Sequence, residues 1–250
     1  MKLPMLMRKL AARRYSSYPV RKLDYLFHCA PEQRIILFST PKCAGSTLKR
    51  FVQMIAVNGD VGRLPENVHD KSKSPLRGFL ELREPLSAVF ESDDWFRFCF
   101  VRNPFTRVLS CYLDKIVGRT RTRYLPKLGF NAEEEVSLER FLLRLRKRRL
   151  LHLNPHWAPQ SYLIRPDTIR YHFIGRFEHL QTHLSLLAKT LGYAHLIESP
   201  ERVTERPHRT DAGQRVRQFI GPRETALIRE IYRGDFLTFG YPQDPRFCHA

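Results

Sequence analysis

The run Arg34-Ile35-Ile36-Leu37-Phe38-Ser39-Thr40 is short, apolar and closed by turn-forming hydroxyl residues. An apolar run of this length without alternation reads as a strand covered on both faces. It feeds Pro41-Lys42-Cys43-Ala44-Gly45-Ser46-Thr47, after which Leu48, Phe51, Val52 and Ile55 recur at helical spacing. The chain therefore starts a strand, small-residue loop, helix unit, with Ser46 or Thr47 available to cap the helix.

A second unit repeats the pattern. Phe98-Cys99-Phe100-Val101 reads as a buried strand, and Arg102-Asn103-Pro104 opens a helix to about Val117. Asn is a favoured N-cap and Pro suits the first helical position. Val108, Leu109, Tyr112 and Ile116 share the face expected to meet the core. Tyr171 to Gly175 reads as a third strand, and Glu178 to Leu191 as an amphipathic helix with Leu180, Leu184, Leu187 and Leu191 on its apolar stripe. A last helix covers about Pro222 to Arg233. Strands alternating with helices mean an α/β chain with a mainly parallel sheet.

Composition narrows the function classes. Lys plus Arg number 43 against 25 Asp plus Glu, a formal charge of +18, so the chain should seek anions: nucleic acid, an acidic sugar, a membrane surface or a multiply phosphorylated small molecule. Hydrophobic residues make up 42% of the 250, enough to build a core and to exclude disorder as the main state. The 5 cysteines are scattered without a C-x-x-C pair, which suggests neither a zinc ribbon nor a disulfide framework. The apolar run Leu3 to Met7 is broken by Pro4, too short for a signal-peptide core, and a soluble protein is expected. No internal repeat or linker divides the chain, so one domain over 34–250 is expected, preceded by an N-terminal extension over 1–33.

The first loop lies where a parallel strand ends and a helix begins, the place at which α/β sheets bind phosphate. A nucleotide kinase or other P-loop NTPase would need its lysine after the loop glycine, whereas Lys42 precedes Gly45, and the strand Phe98 to Val101 ends in Arg102 rather than an acidic metal ligand. In the second unit Arg102 and Ser110 offer a guanidinium fork and a hydroxyl to a second phosphate. Two such sites suit a ligand with two separated phosphates. A nucleic-acid-binding protein, the other alternative, is motivated by charge alone, with no recognition motif beside it.

With those residues in view, the sequence resembles the sulfotransferases that use 3′-phosphoadenosine 5′-phosphosulfate (PAPS). Pro41 to Thr47 looks like their 5′-phosphosulfate loop, and Arg102-Asn103-Pro104-Phe105 through Ser110 and Tyr112 is similar to their 3′-phosphate motif R-x-P-[FY]-x-R-x-x-S-x-Y. Asn154 to Gln160, Phe173 to Glu178 and Asp235 to Tyr241 extend the likeness in register, closest to the carbohydrate enzymes of the chondroitin, dermatan, HNK-1 and heparan 2-O type, sulfotransferase family 2. The resemblance implies a three-layer, P-loop-like α/β fold with a central parallel sheet flanked by helices.

It also implies roles. Lys42 would contact the 5′-phosphate and the bridging oxygen; Cys43, Ala44, Gly45, Ser46 and Thr47 would bind the same end; Arg102 and Ser110 would hold the 3′-phosphate. Cys43 serves as a backbone spacer rather than a nucleophile. The product is adenosine 3′,5′-bisphosphate (PAP), no metal is required, and the acceptor is a hydroxyl of a carbohydrate or glycan, acidic if the basic stretch Arg144 to Arg149 lines its groove. His69, in Glu66-Asn67-Val68-His69-Asp70, sits where heparan-type relatives carry a catalytic histidine; His156 beside Trp157 is its rival as general base. Arg206 and Arg209 are candidates for a lid over the nucleotide, and Glu178 reads as a helix N-terminal carboxylate. No specific nucleic-acid partner or membrane span is expected, a cytoplasmic location is the simplest reading, and the oligomeric state is not specified.

Overall fold

The computed structural model describes residues 12–16, 18–197 and 210–248. Its contacts group the chain into two compact units, one formed by residues 1–101 and 163–207, the other by 102–162 and 208–250.

The first unit carries one four-stranded sheet in the order β1-β2-β3-β4, with β1 Phe27–Ala30, β2 Ile35–Phe38, β3 Phe96–Val101 and β4 Phe173–Arg176. β2, β3 and β4 run parallel, as their apolar runs predict, but β1 pairs antiparallel with β2, Phe27 opposite Phe38 and Ala30 opposite Ile35. The expected central parallel sheet is therefore a mixed sheet. The reason is local: the reversal from β1 to β2 takes only the turn Pro31–Arg34, with Arg34 at φ 53°, and so short a connection can join antiparallel strands only.

Side chains alternate across this sheet. Ile35 and Leu37 of β2 and Phe98 and Phe100 of β3 face a core shared with Leu48, Phe51 and Val52 of the helix Gly45–Ala56 and with Leu184 and Leu187 of the helix Leu180–Thr190. Phe27 and Phe38 pack instead into an aromatic group with Phe79 and Phe90, ring centroids 5.4 to 6.2 Å apart. Both faces are thus covered. Gly175 of β4 is required by closeness: a Cβ there would stand 2.5 Å from the buried Phe100 ring.

In the second unit the helix Pro104–Tyr112 starts as expected, the Asn103 side chain accepting from Phe105 N–H at 3.0 Å, and then widens into a π-helical turn over Leu113–Val117. The basic stretch forms a helix over Leu138–Arg146, shorter than its 136–151 periodicity suggests, burying Leu138, Phe141, Leu142 and Leu145. Its outer face is ion-paired: Arg140 with Glu134 at 2.7 Å and Arg146 with Glu230 at 3.4 Å. Pro222–Ile231 and Arg233–Phe239 are consecutive helices. All 5 cysteines are buried free thiols, and among the described residues no helix is long and apolar enough to cross a membrane.

Candidate active site

The loop after β2 is shaped by its backbone. Lys42 and Ala44 adopt left-handed conformations, φ 71° and 58°, that L side chains rarely take and that cluster at ligand-binding turns. Ala44 is the N-cap, so Gly45, Ser46 and Thr47 are the first three helical residues and neither hydroxyl caps the helix, contrary to the spacing argument. That first turn presents N–H groups outside the helix's own ladder, together with the positive end of the dipole. Gly45 fits because a Cβ there would meet Ser39 Oγ at 2.8 Å. The Thr40 hydroxyl donates to the Phe100 carbonyl and ties the loop's root to β3.

His69 comes to this loop from 23 residues away, its Nε2 2.9 Å from Ser46 Oγ and its Nδ1 3.4 Å from Lys49 Nζ. The helix that follows the loop does the placing. Arg50 donates to the Pro65 and Glu66 carbonyls at 2.8 and 3.1 Å, Gln53 Nε2 donates to the Val68 carbonyl at 3.2 Å, and the Asn67 side chain accepts from His69 N–H at 2.9 Å. Arg50 and Gln53 were not singled out from sequence, although two polar residues on the buried stripe of an amphipathic helix are a usable signal. Lys42, Ser46 and His69 thus belong to one unit.

Arg102 and Ser110 belong to the other. Both are buried, Arg102 Nε donating to Thr106 Oγ1 at 3.0 Å and Ser110 Oγ lying 2.9 Å from Thr210 Oγ1. The Gln160 amide accepts from the Arg102 N–H and donates to the Arg102 carbonyl, each at 2.8 Å. Asp235 in turn accepts from Gln160 N–H at 2.8 Å and from the N–H and hydroxyl of Ser161 at 2.7 and 2.8 Å. Burial pushes the Asp235 carboxyl above its ordinary range, against the pull of Arg107 and these donors. Fully buried Arg107 donates to the Ala158 and Pro155 carbonyls at 2.9 and 3.0 Å, and Tyr232 to the Trp157 carbonyl at 2.8 Å. The segments 154–160 and 235–241 are thereby explained as the frame behind Arg102.

His156 is part of that frame. Its Nδ1 lies 2.7 Å from Asn154 Oδ1 and its ring packs edge-on against Tyr124 at 5.8 Å. Glu178 falls in a short 3-10 turn, Phe177–His179, ahead of the helix Leu180–Thr190. Arg206 and Arg209 lie outside the described residues. Among the described residues no cluster of three or more His, Cys, Asp or Glu is placed to hold a metal ion.

The first unit thus carries a strand-loop-helix turn with a histidine brought to it, and the second a framed arginine, Arg102. The sulfotransferase family profile matches residues 25–242, and the chain belongs to that family. It is similar to carbohydrate sulfotransferase 14 of Danio rerio, 27% identical over 91% of this chain and 66% of that protein, and to carbohydrate sulfotransferase 10 of Rattus norvegicus, 29% identical over 95% and 72%. Carbohydrate sulfotransferase 14 of Mus musculus is 26% identical over 84% of this chain and 58% of that protein, so the chain spans between about half and three quarters of these relatives. No solved structure matches at comparable significance.

Proposed function

We propose that this chain transfers a sulfuryl group from PAPS to a hydroxyl of a carbohydrate acceptor, releasing PAP. Membership of the sulfotransferase family supports the reaction, and the relatives' names specify the carbohydrate. The finer fold reading, a three-layer P-loop-like core around the parallel strands β2, β3 and β4, goes with this proposal. The observation that carries it is the 2.9 Å approach of His69 to Ser46, which brings a histidine to a phosphate-type loop; in the proposal it serves as the general base.

The proposed roles follow from the chemistry of each residue. Gly45, Ser46 and Thr47 offer first-turn N–H groups and hydroxyls to the 5′ end, while Arg102 and Ser110 hold the 3′-phosphate, a part that does not react. His69 accepts the proton of the acceptor hydroxyl as that oxygen bonds to sulfur. The bond from sulfur to the 5′-phosphate oxygen breaks, and Lys42 neutralises the charge left on that oxygen. A chain charge of +18 draws an acidic glycan toward the protein at low salt.

The test combines PAP titration with a transfer assay on a mixed glycosaminoglycan panel. His69→Ala should keep PAP affinity and lose transfer, and Arg102→Ala should lose both while remaining folded. Full transfer by either variant overturns the reading.

A further inference from the structure

Ser46 and Lys49 stand three residues apart on the helix Gly45–Ala56, so their side chains share one face. The His69 ring lies against both, Nε2 2.9 Å from Ser46 Oγ and Nδ1 3.4 Å from Lys49 Nζ. One helix thereby engages both ring nitrogens, and two proton arrangements satisfy the same pair of contacts. A charged ammonium only donates, so it requires the lone pair on Nδ1 and leaves the ring proton on Nε2, which donates to Ser46. A neutral amine accepts, so Nδ1 carries the proton and Nε2 turns its lone pair toward Ser46. Only the second arrangement has a base at Nε2.

The surroundings of Lys49 let its charge change. Facing it are Tyr25 of the helix Val20–Leu26, with its ring centroid 6.0 Å from Nζ, His28 of β1, and His69 and Lys71 of the loop that follows. None of these is a carboxylate. Asp24 is held by Lys71 at 3.0 Å, and Asp70 accepts from the N–H and hydroxyl of Ser72 at 3.0 and 2.7 Å. Burial, with Lys71 nearby, pushes the Lys49 ammonium down to about 8, and burial holds His28 well below the usual imidazole range.

We propose that Lys49 is a positioning residue that sets the tautomer of His69: as an ammonium it holds the imidazole in the Nε2–H form, and as an amine it accepts from Nδ1–H and frees Nε2 to act as the base. The inference rests on the sulfuryl-transfer reading above, in which His69 takes the acceptor's proton, and adds what governs that step. The acceptor oxygen bonds to sulfur as its proton passes to Nε2, the bond from sulfur to the 5′-phosphate oxygen breaks, and the Nδ1 proton passes to Lys49 Nζ. The step leaves PAP, the sulfate ester, a neutral His69 in the Nε2–H form and a Lys49 ammonium. Loss of one proton from Lys49 to water, with return of the ring to the Nδ1–H form, resets the pair.

Nuclear magnetic resonance of the full chain labelled with nitrogen-15 histidine, with PAP added, reports which ring nitrogen keeps its proton, and the difference from His69→Gln assigns the His69 signals. Between about pH 7 and 9.5 the wild-type ring should pass from the Nε2–H to the Nδ1–H form. Lys49→Arg, charged throughout, should stay Nε2–H, and Lys49→Met should show one ratio of the two neutral forms at every pH. Initial rates at saturating PAPS supply the second readout: wild-type kcat should rise about tenfold between pH 7 and 9, as the neutral fraction of a group near 8 does, whereas Lys49→Arg should stay low and flat and Lys49→Met should lose the rise. PAP affinity serves as the control for folding and should be the same in all three. A wild-type tautomer that does not move with pH, or a rise that survives in Lys49→Met, overturns the proposal. His69→Gln transferring at the wild-type rate overturns instead the assignment of His69 as base. The spectra require no turnover, so the tautomer is decided whichever acceptor is used.

Discussion

Gln160 grips the peptide of Arg102 from both sides, its Oε1 accepting the Arg102 N–H and its Nε2 donating to the Arg102 carbonyl, both at 2.8 Å. The arginine assigned to the 3′-phosphate is therefore held through its backbone, while its Nε donates to Thr106 Oγ1 at 3.0 Å.

Gln160→Leu should remove two buried hydrogen bonds to the Arg102 backbone, at about 1–3 kcal/mol each. At about 2–4 °C per kcal/mol for a chain of this size, the melting temperature should fall by several degrees. PAP affinity should drop by about tenfold or more, measured by calorimetry on the folded variant. An unchanged affinity would mean that Arg102 is positioned by other contacts.

Lys42 carries φ 71°, a conformation glycine adopts at no steric cost. Lys42→Gly should thus be at least as stable as wild type, yet its turnover should fall by about 10²–10³-fold if Lys42 stabilises the leaving oxygen. Thermal melts and initial rates on the same preparation separate the two effects. A stable and fully active Lys42→Gly removes Lys42 from the chemistry.

Gly175→Ala places a Cβ 2.5 Å from the Phe100 ring, which is enclosed in the core and has little room to move. Overpacking of this kind costs about 1–3 kcal/mol. Chemical denaturation should show the midpoint falling with the slope unchanged. Phe100→Leu in the same chain should recover part of the loss, and non-additivity of the pair is the diagnostic reading.

The Lys49 ammonium, with its folded value near 8 against 10.5 unperturbed, binds its proton less tightly in the folded chain than in the unfolded one. Its contribution to stability therefore rises as pH climbs from about 8 to 10.5, because the unfolded state holds more protons there. The groups facing it are Tyr25 before β1, His28 on β1, and His69 and Lys71 on the following loop, with Asp24 behind Lys71. Lys49→Met should flatten the rise of thermal stability between about pH 8 and 10.5 seen in pH-dependent melts; a rise unchanged by the substitution would assign it to another group.

Much of the scaffold was legible residue by residue. The runs 34–40 and 98–101 hold β2 and most of β3, Asn103 caps its helix with Pro104 beside it, and His69 stands in the stretch between those two runs. These signals are local: apolar runs, cap chemistry and turn residues act within a few positions of themselves. Phe27–Ala30 gave no such signal because His28 interrupts it and the strand is only 4 residues long, so the antiparallel edge of the sheet went unseen.

The sequence alone determined the chemistry on offer: a phosphate-type loop behind a buried strand, an arginine ending the next one, a basic chain and a histidine in the intervening loop. Tertiary structure decided which groups meet. Asp235 reaches Gln160 across 75 residues, Gln160 reaches Arg102 across 58, and His69 reaches Ser46 across 23. The left-handed turn at Lys42 and the unpaired His28 and Gln53 atoms likewise exist only once the chain has closed on itself. The physical reason is that hydrogen bonding over such separations has no periodicity to betray it: it depends on burial, which the packed core confers on particular side chains and the linear pattern does not.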